Sequence, residues 1–579
     1  MKGKRNLGKA VVLGLLLSTG MYGAAWADEE VVGGLWTNAN YTTEEGNDLK
    51  IIADGKDGHG NIGIGYDGTV NVLGDKLTVE SVSNAIQSGY IENAKVQILA
   101  NNIEINAGDN GIFTSTEGGY KSTVIIGSED RKIQGLTINA GGQGIDNKKG
   151  NVYIYGTDDS QFYIHSLNTS GKLTNQAAIN NGTNGEIILT GGSINMVTDK
   201  VDKGYGDGIT NSSGTTTLNF NSIEMDVTGN GIRNTSGTVS LNTESSNAIT
   251  SDQRGIYNTS SGTVYLNTKG SNTITSAQQG IYAQKGTVDM TGASNSIEAG
   301  HLIQDEEDKK IWYGTDLAIN AGSKAIFGNN TYAGIVNLKA SDGDNTLRGA
   351  VYAIGDETNV QISGLADENR NYGNSRYNYV GSAAVIENAG GLKGKEIDSV
   401  TGETTGMDVV SALYAEEGAQ INLSGITNTI RTYYADPTDE HTSERVVWAY
   451  KGAKINIDGA THISTYNYDQ SPNSGDIAIA AGTATELKAE DFTEDKLNSL
   501  EKATVHLNYK AGSSIEGDIL AAYGGEVTIS NATLKTRAAG EDASFDGINI
   551  HGNLLAGNTG VLNVNLGNGG LQQRDSYGR

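Results

Sequence analysis

Cysteine is absent from the chain and proline occurs only twice in 579 residues. Without cysteine there is no disulfide, no thiolate zinc site and no thiol nucleophile. Basic residues are in deficit, 41 Lys and Arg against 68 Asp and Glu, which leaves a net charge of −27. That balance argues against nucleic acid and anionic membrane surfaces as partners and suits a surface exposed outside a cell. Long apolar runs are missing too. The longest, Ala10 to Leu17, falls well short of the roughly 20 residues a membrane-spanning helix needs. Apolar residues make up 36% of a chain too long for one ordinary globular core, whereas glycine is abundant at 80 residues. The regular alternation of Ile, Val and Leu and the 27 tyrosines separate this composition from that of a disordered chain.

What is present is a repeat. Gly208-Ile209-Thr210-Asn211 recurs as Gly231-Ile232-Arg233-Asn234, Gly255-Ile256-Tyr257-Asn258 and Gly280-Ile281-Tyr282-Ala283, at steps of 23, 24 and 25 residues. Each of the last three copies is followed by Gly-Thr-Val-x-(Leu/Met), which places Val239 and Leu241, Val264 and Leu266, and Val288 and Met290 in alternation. The units close on Ile223, Ile249, Ile274 and Ile297. Period-two alternation makes a strand with one buried face, and Gly, Asn and Ser turn the chain between strands. A unit of this length cannot bury its own apolar face. It does so by stacking on the next, with equal positions about 4.8 Å apart. The period therefore predicts an all-β parallel β-helix, a β-solenoid of about 23–25 residues per coil whose width suits the right-handed kind. Ile209, Ile232, Ile256 and Ile281 would form one core column, and Asn234 and Asn258 a side-chain amide ladder.

Taken in order, residues 1–27 read as a secretory leader. Lys2, Lys4, Arg5 and Lys9 precede the short apolar run, and Ala25-Trp26-Ala27 is a small-x-small cleavage site. Residues 28–60 are expected to be an N-terminal cap, 61–503 the solenoid and 504–579 its C-terminal coils. The landmark persists in looser form as Ala85-Ile86, Gly111-Ile112, Gly144-Ile145, Ala178-Ile179, Ala325-Ile326, Ala350-Val351, Ala384-Val385, Ala412-Leu413 and Val447-Trp448. Gln304–Lys310, Asp367–Tyr379, Arg431–Arg445 and Tyr466–Gly475 read as loops leaving the column. Thr493–Lys502 carries a helical pattern with Leu497 and Leu500 on one face. Some twenty coils would reach on the order of 100 Å.

From Thr504 the wording becomes specific. Ser514-Ile515-Glu516-Gly517-Asp518-Ile519-Leu520-Ala521-Ala522 is followed by Gly524-Gly525-Glu526-Val527-Thr528-Ile529, and later by Gly560-Val561-Leu562-Asn563-Val564-Asn565-Leu566-Gly567. This resembles the C-terminal part of bacterial autotransporter passengers of the pertactin-like kind, and the leader and solenoid agree with that family. The resemblance implies a C-terminal folding core that includes Ile519, Val527, Ile529, Val561, Val564 and Leu566. It also implies the export machinery as a partner, with an outer-membrane barrel in cis or in trans. A barrel would read as alternating strands of about 10 residues. These residues instead end in the polar stretch Leu571 to Arg579. The expectation is then a fragment, a truncated gene or a separate barrel protein.

Motifs that carry chemistry are sparse in the same residues. Gly58-His59-Gly60 is similar to an element of polygalacturonases, but it lies near the start of the mature chain without preceding paired aspartates, so a glycine-rich turn is the expected reading. Asp158-Asp159 precedes Ser160 in an expected loop. No Gly-Asp-Ser-Gly, Gly-Asp-Ser-Leu or Gly-x-Ser-x-Gly element occurs, and the seven histidines are scattered. Asp342 to Gly349 is similar to one calcium-binding nonapeptide, a motif that works in tandem, so a polar turn before Leu347 is expected. No catalytic residue, metal site or cofactor is implied. Tyr372, Tyr377, Tyr379, Tyr433 and Tyr434 sit in two expected loops, where tyrosine offers a flat apolar face and a hydroxyl for contact with protein or glycan, or packs its loop onto the column.

The expected function is that of a secreted or surface-exposed, non-enzymatic solenoid whose loops adhere to host or neighbouring bacterial cells through surface proteins or glycans. The alternatives are a β-helix polysaccharide lyase or hydrolase, and a haemagglutinin-like exoprotein exported through a separate partner.

Overall fold

The tripeptide Gly-Ile-x sets the geometry of the most regular coils, from Gly208 to Gly280. Its isoleucine enters a short strand and points inward, and the residue two further on reaches a corner. A computed structural model describes residues 29–35, 40–56, 62–89, 93–114, 121–167, 175–200, 204–304, 310–313, 317–324, 331–364, 383–389, 394–397, 404–433, 442–466, 477–482, 501–531, 547–557, 559–567 and 569–572. Among these residues there is no helix.

Three parallel strand stacks form the walls of one column, as the repeat predicts. Stack I holds the short strands, such as Ile232–Asn234, Ile256–Asn258 and Ile281–Ala283, each in register with the next. Stack II holds the alternating runs, including Gly262–Thr268 and Gly286–Gly292. Stack III follows after a bend, as Ser271–Ser276 and Ser294–Ala299. In Thr238–Ser251 stacks II and III are one unbroken 14-residue strand. Sixteen strands pair successively in stack I, from Ile64–Tyr66 to Leu554–Ala556. A bridge from Leu35 to Ile64 adds a seventeenth level. The described column is thus about 75 Å long at ~4.8 Å per level, shorter than the twenty-coil expectation.

One continuous apolar core runs through it. Ile209, Ile232, Ile256 and Ile281 are fully buried, as are Val239, Val264, Val288, Leu241, Leu266 and Met290. Each buried Ile contributes roughly 1.5–3 kcal/mol. Close coil contact explains the glycine before each isoleucine. A Cβ on Gly255 would lie 2.1 Å from Ile274 Cγ2 and 2.6 Å from the Gly280 carbonyl oxygen.

The structure corrects several details. The 23–25-residue step holds only from Ile209 to Ile281. Elsewhere in stack I the step from Ile64 to Ile86 is shorter, and the others are longer, as in Ile145 with Ile179, Val351 with Leu413 and Ile479 with Ile519. Long excursions are tolerated because they leave at corners, where no level-to-level pairing is lost. Parallel stacking already includes Leu49–Ala53, within the region expected to be a cap. Ile223 pairs with Asn247, and Met225 takes the place opposite Ile249, because the register shifts after Phe220. Stack I passes through Ile319 rather than Ile326, which lies outside the described residues. Ala384-Val385 belongs to stack III. Asp158 and Asp159 are exposed within the strand Asn151–Ser166 instead of lying in a loop. Val561 pairs with Glu526 on the outer face and is 44% exposed, while Leu562 opposite Val527 takes the inward place. Thr493–Lys502 lies largely outside the described residues.

Candidate binding surface

The side chains best placed to meet a partner stand on the outside of stack I. The middle residue of each short strand points away from the core, and successive middle residues lie in register. In the lower half this row becomes aromatic, as Tyr352, Tyr414 and Trp448, followed by Ala480. The Tyr352 and Tyr414 ring centroids are 5.4 Å apart and stacked, and those of Tyr414 and Trp448 are 4.6 Å apart and stacked. Tyr450 tilts against Trp448 at 5.6 Å. Level spacing imposes this stacking, since identical outward positions are held about one ring thickness plus a small offset apart.

The row is outward yet covered. Tyr414 is 9% and Trp448 7% exposed, and the partly buried Ile477 packs against them. The Arg445 guanidinium, itself buried, lies over the Trp448 ring at 4.4 Å from its centroid. The Tyr352 and Tyr414 hydroxyls both donate to Glu416, the latter at 2.9 Å. Burial, reinforced by the negative charge of Glu416, pushes both tyrosines well above the ordinary phenol range. A smaller version stands higher in the column, where Tyr257 and Tyr282 stack at 5.4 Å beneath the guanidinium of Arg254.

The corner between stack III and stack I adjoins this row. Chain leaves the column there as the antiparallel pair His301–Gln304 with Lys310–Tyr313, and again as Gly394–Ile397 with Thr404–Val410. The second hairpin continues beside Thr442–Ala449, the strand that carries Arg445 and Trp448. The aromatic row and these excursions therefore share one edge of the lower column.

Of the tyrosines singled out in the sequence, Tyr372, Tyr377, Tyr379 and Tyr434 lie outside the described residues. Tyr433 ends the strand Gln420–Tyr433 in register with Tyr466. Sequence reasoning treated Tyr414 and Trp448 only as landmarks of the repeat. The available signal was an aromatic recurring in the middle of an Ala-bounded tripeptide, Val351-Tyr352-Ala353, Leu413-Tyr414-Ala415 and Val447-Trp448-Ala449. In the C-terminal coils Ile519, Val527 and Ile529 are buried, and Val564 and Leu566 are partly buried against the core. Asn345 and Leu347 of the calcium-like stretch are buried in stack III, and no group of three or more His, Asp or Glu suited to a metal occurs among the described residues. No helix of the described residues is long and apolar enough to cross a membrane. Compared with known proteins, the chain matches no family, no curated protein and no solved structure.

Proposed function

We propose that this chain is an exported, autotransporter-like passenger that works by adhesion, with the column as spacer and the excursions along the stack III–stack I edge as the contact surface. The observation that carries this reading is the unbroken stack of seventeen levels, with hairpins projecting from the same corner in its lower half. A stiff column holds such segments away from its base, and outward aromatics packed beside them anchor the projecting chain. Non-enzymatic action, outer-surface location and export through a barrel in cis or in trans belong to the same proposal, supported by the leader-like residues 1–27 and the wording of residues 514–567.

The test is binding of the purified full chain to whole cells, host and bacterial, with unlabelled chain as competitor. Saturable, competed binding that falls at least tenfold when residues 390–393 and 398–403 are replaced by short Gly-Ser linkers supports adhesion through this edge. Absence of saturable binding, or release of reducing ends from acidic or neutral polysaccharides, overturns it in favour of the polysaccharide-cleaving alternative.

A further inference from the structure

A second surface lies on another wall of the column. Where stack II bends into stack III, a groove of about 530 Å³ runs along the axis. Its floor is a single register row, Thr190, Asn219, Asn242, Asn267 and Thr291. With Gly156 and Asp158 at the upper end it spans six levels, about 24 Å at ~4.8 Å per level.

The floor is a ladder of amides. Asn242 Nδ2 donates to Asn219 Oδ1 at 2.9 Å, and Asn267 Nδ2 to Asn242 Oδ1 at 3.0 Å. An amide has two N–H donors and an oxygen with two lone pairs. The ladder uses one of each at Asn242, which leaves a donor and an acceptor for the groove. Beneath the floor Phe220 is buried in the core, edge-on to Phe162 with ring centroids 5.3 Å apart, so the groove presents polar atoms to a ligand. The rim carries Lys132 and Lys269 against Asp158 and Glu244, so its charges balance.

We infer that this groove binds an extended, neutral oligosaccharide along the column axis. A polyol donates and accepts at every unit, as the floor does at every level, and a pyranose ring is close to one level in length. The competing classes fit worse. The strands flanking the groove are paired level to level on both sides, so no sheet edge is open to an added peptide strand. A balanced rim on a chain of net charge −27 gives no attraction to nucleic acid or to an acidic polysaccharide. The inference goes beyond the adhesive reading, adding a second ligand surface on a different wall from the loop edge. It is tested without cells, so its failure is separate from failure of adhesion through the loop edge.

The experiment is calorimetric titration of the full chain with gluco-, manno- and chito-oligosaccharides of one to six units, beside oligogalacturonates of the same lengths. The expected result is binding of at least one neutral series with a Kd that falls with each added unit up to five or six. Asn219→Val, Asn242→Val and Asn267→Val together should weaken it at least tenfold. Asn267→Trp, at an exposed position that leaves the core untouched, should block it, with an unchanged protease-resistant fragment as the folding control. No affinity for any neutral series, stronger binding of oligogalacturonates, or equal binding by Asn267→Trp overturns the inference.

Discussion

The coils between Gly206 and Ala299 and those between Leu317 and Ala556 share one core but turn the same corner by different means. In the upper coils the residue that ends the stack I strand is asparagine. Asn211 Nδ2 donates to Asn234 Oδ1 at 2.9 Å and Asn234 Nδ2 to Asn258 Oδ1 at 3.3 Å. Each amide also donates within its own turn, to the carbonyls of Gly214, Gly237 and Gly262. These side chains are fully buried. From Ala283 onward the same register position is alanine, at Ala321, Ala353, Ala415, Ala449, Ala481 and Ala521. There the backbone makes the turn. Glu417 and Gly418 take φ of 52° and 83°, Lys451 and Gly452 take 44° and 74°. The Ala419 and Ala453 amides donate to the carbonyls of Glu416 and Tyr450, both at 3.2 Å. An amide corner ties its own turn to the next level, and it does so whatever the coil length: Asn147 Nδ2 donates to Asn181 Oδ1 at 2.9 Å across 34 residues. A backbone corner closes its turn without a side chain and joins the next level through the main chain, as where the Gly418 amide donates to the Lys451 carbonyl at 3.0 Å. The amide corners from Asn211 to Asn258 keep steps of 23 and 24 residues, whereas those from Asn147 to Asn211 keep steps of 34 and 30, so coil length is set by the excursions between strands and not by the corner.

The comparison can be broken at the shared core first. Val527→Asp with Ile529→Asp places two carboxylates where both residues are buried, and the chain should lose its protease-resistant fragment. Survival of that fragment would remove the C-terminal coils from the folding core. Ile256→Ala in the upper half and Leu413→Ala in the lower, both fully buried, should each cost about 2–5 kcal/mol in denaturant unfolding. Similar losses would confirm that the core is common to both halves.

The corners themselves come next. Asn234→Ala removes a donor and acceptor from a buried ladder and should cost about 1–3 kcal/mol. Ala415→Asn inserts an amide where the corner is built from backbone, and should destabilise by a similar ~1–3 kcal/mol through overpacking. If Ala415→Asn stabilises instead, the two corners are interchangeable and the distinction fails.

Alkaline titration sharpens the contrast from the aromatic side. Tyr352 and Tyr414 are held protonated in the folded chain by burial and by Glu416. The unfolded phenol ionises near pH ~10. Their contribution to stability is therefore complete below that pH and is lost as pH rises above it, since only the unfolded state then sheds the protons. Tyrosinate absorbance should show these two groups silent until unfolding, and Tyr414→Phe should reduce the alkaline fall in stability. Early ionisation of both in the folded chain would contradict the buried row. The smallest effect is expected at the surface pair of Lys269 and Glu244, whose side chains are 74% and 60% exposed. Lys269→Ala should change stability by only ~0–1 kcal/mol.

The legible parts of this fold were those where neighbouring coils repeat their words. Ile232, Ile256 and Ile281 could be placed one above another from spacing alone, and the Asn234–Asn258 contact followed from the same alignment. The deeper ladder of Asn247, Asn272, Asn295 and Asn345, bonded at 2.8, 2.9 and 2.8 Å, was not read. Its first three members do recur at steps of 25 and 23 residues within Ser-Asn-x-Ile, and only the last step, from Asn295 to Asn345, crosses an excursion, but sequence does not tell an inward asparagine from an outward one. The Tyr352–Tyr414–Trp448 row is hidden because long insertions separate residues that pairing brings to adjacent levels. Val561 misled through its place in an alternating run, since alternation alone leaves open which set of residues points inward. The groove gave no signal, because its floor uses outward asparagines that sequence cannot tell from ordinary solvated ones.

Amide hydrogen exchange of the full chain tests the continuous column most directly, since paired core strands exchange only through large-scale opening. Peptides covering Thr238–Ser251 and Gln420–Tyr433 should show equally slow exchange, because both lie in interior levels of the same stack. Slow exchange confined to the upper coils, with Gln420–Tyr433 exchanging as fast as an unpaired segment, would contradict a single column shared by both kinds of corner.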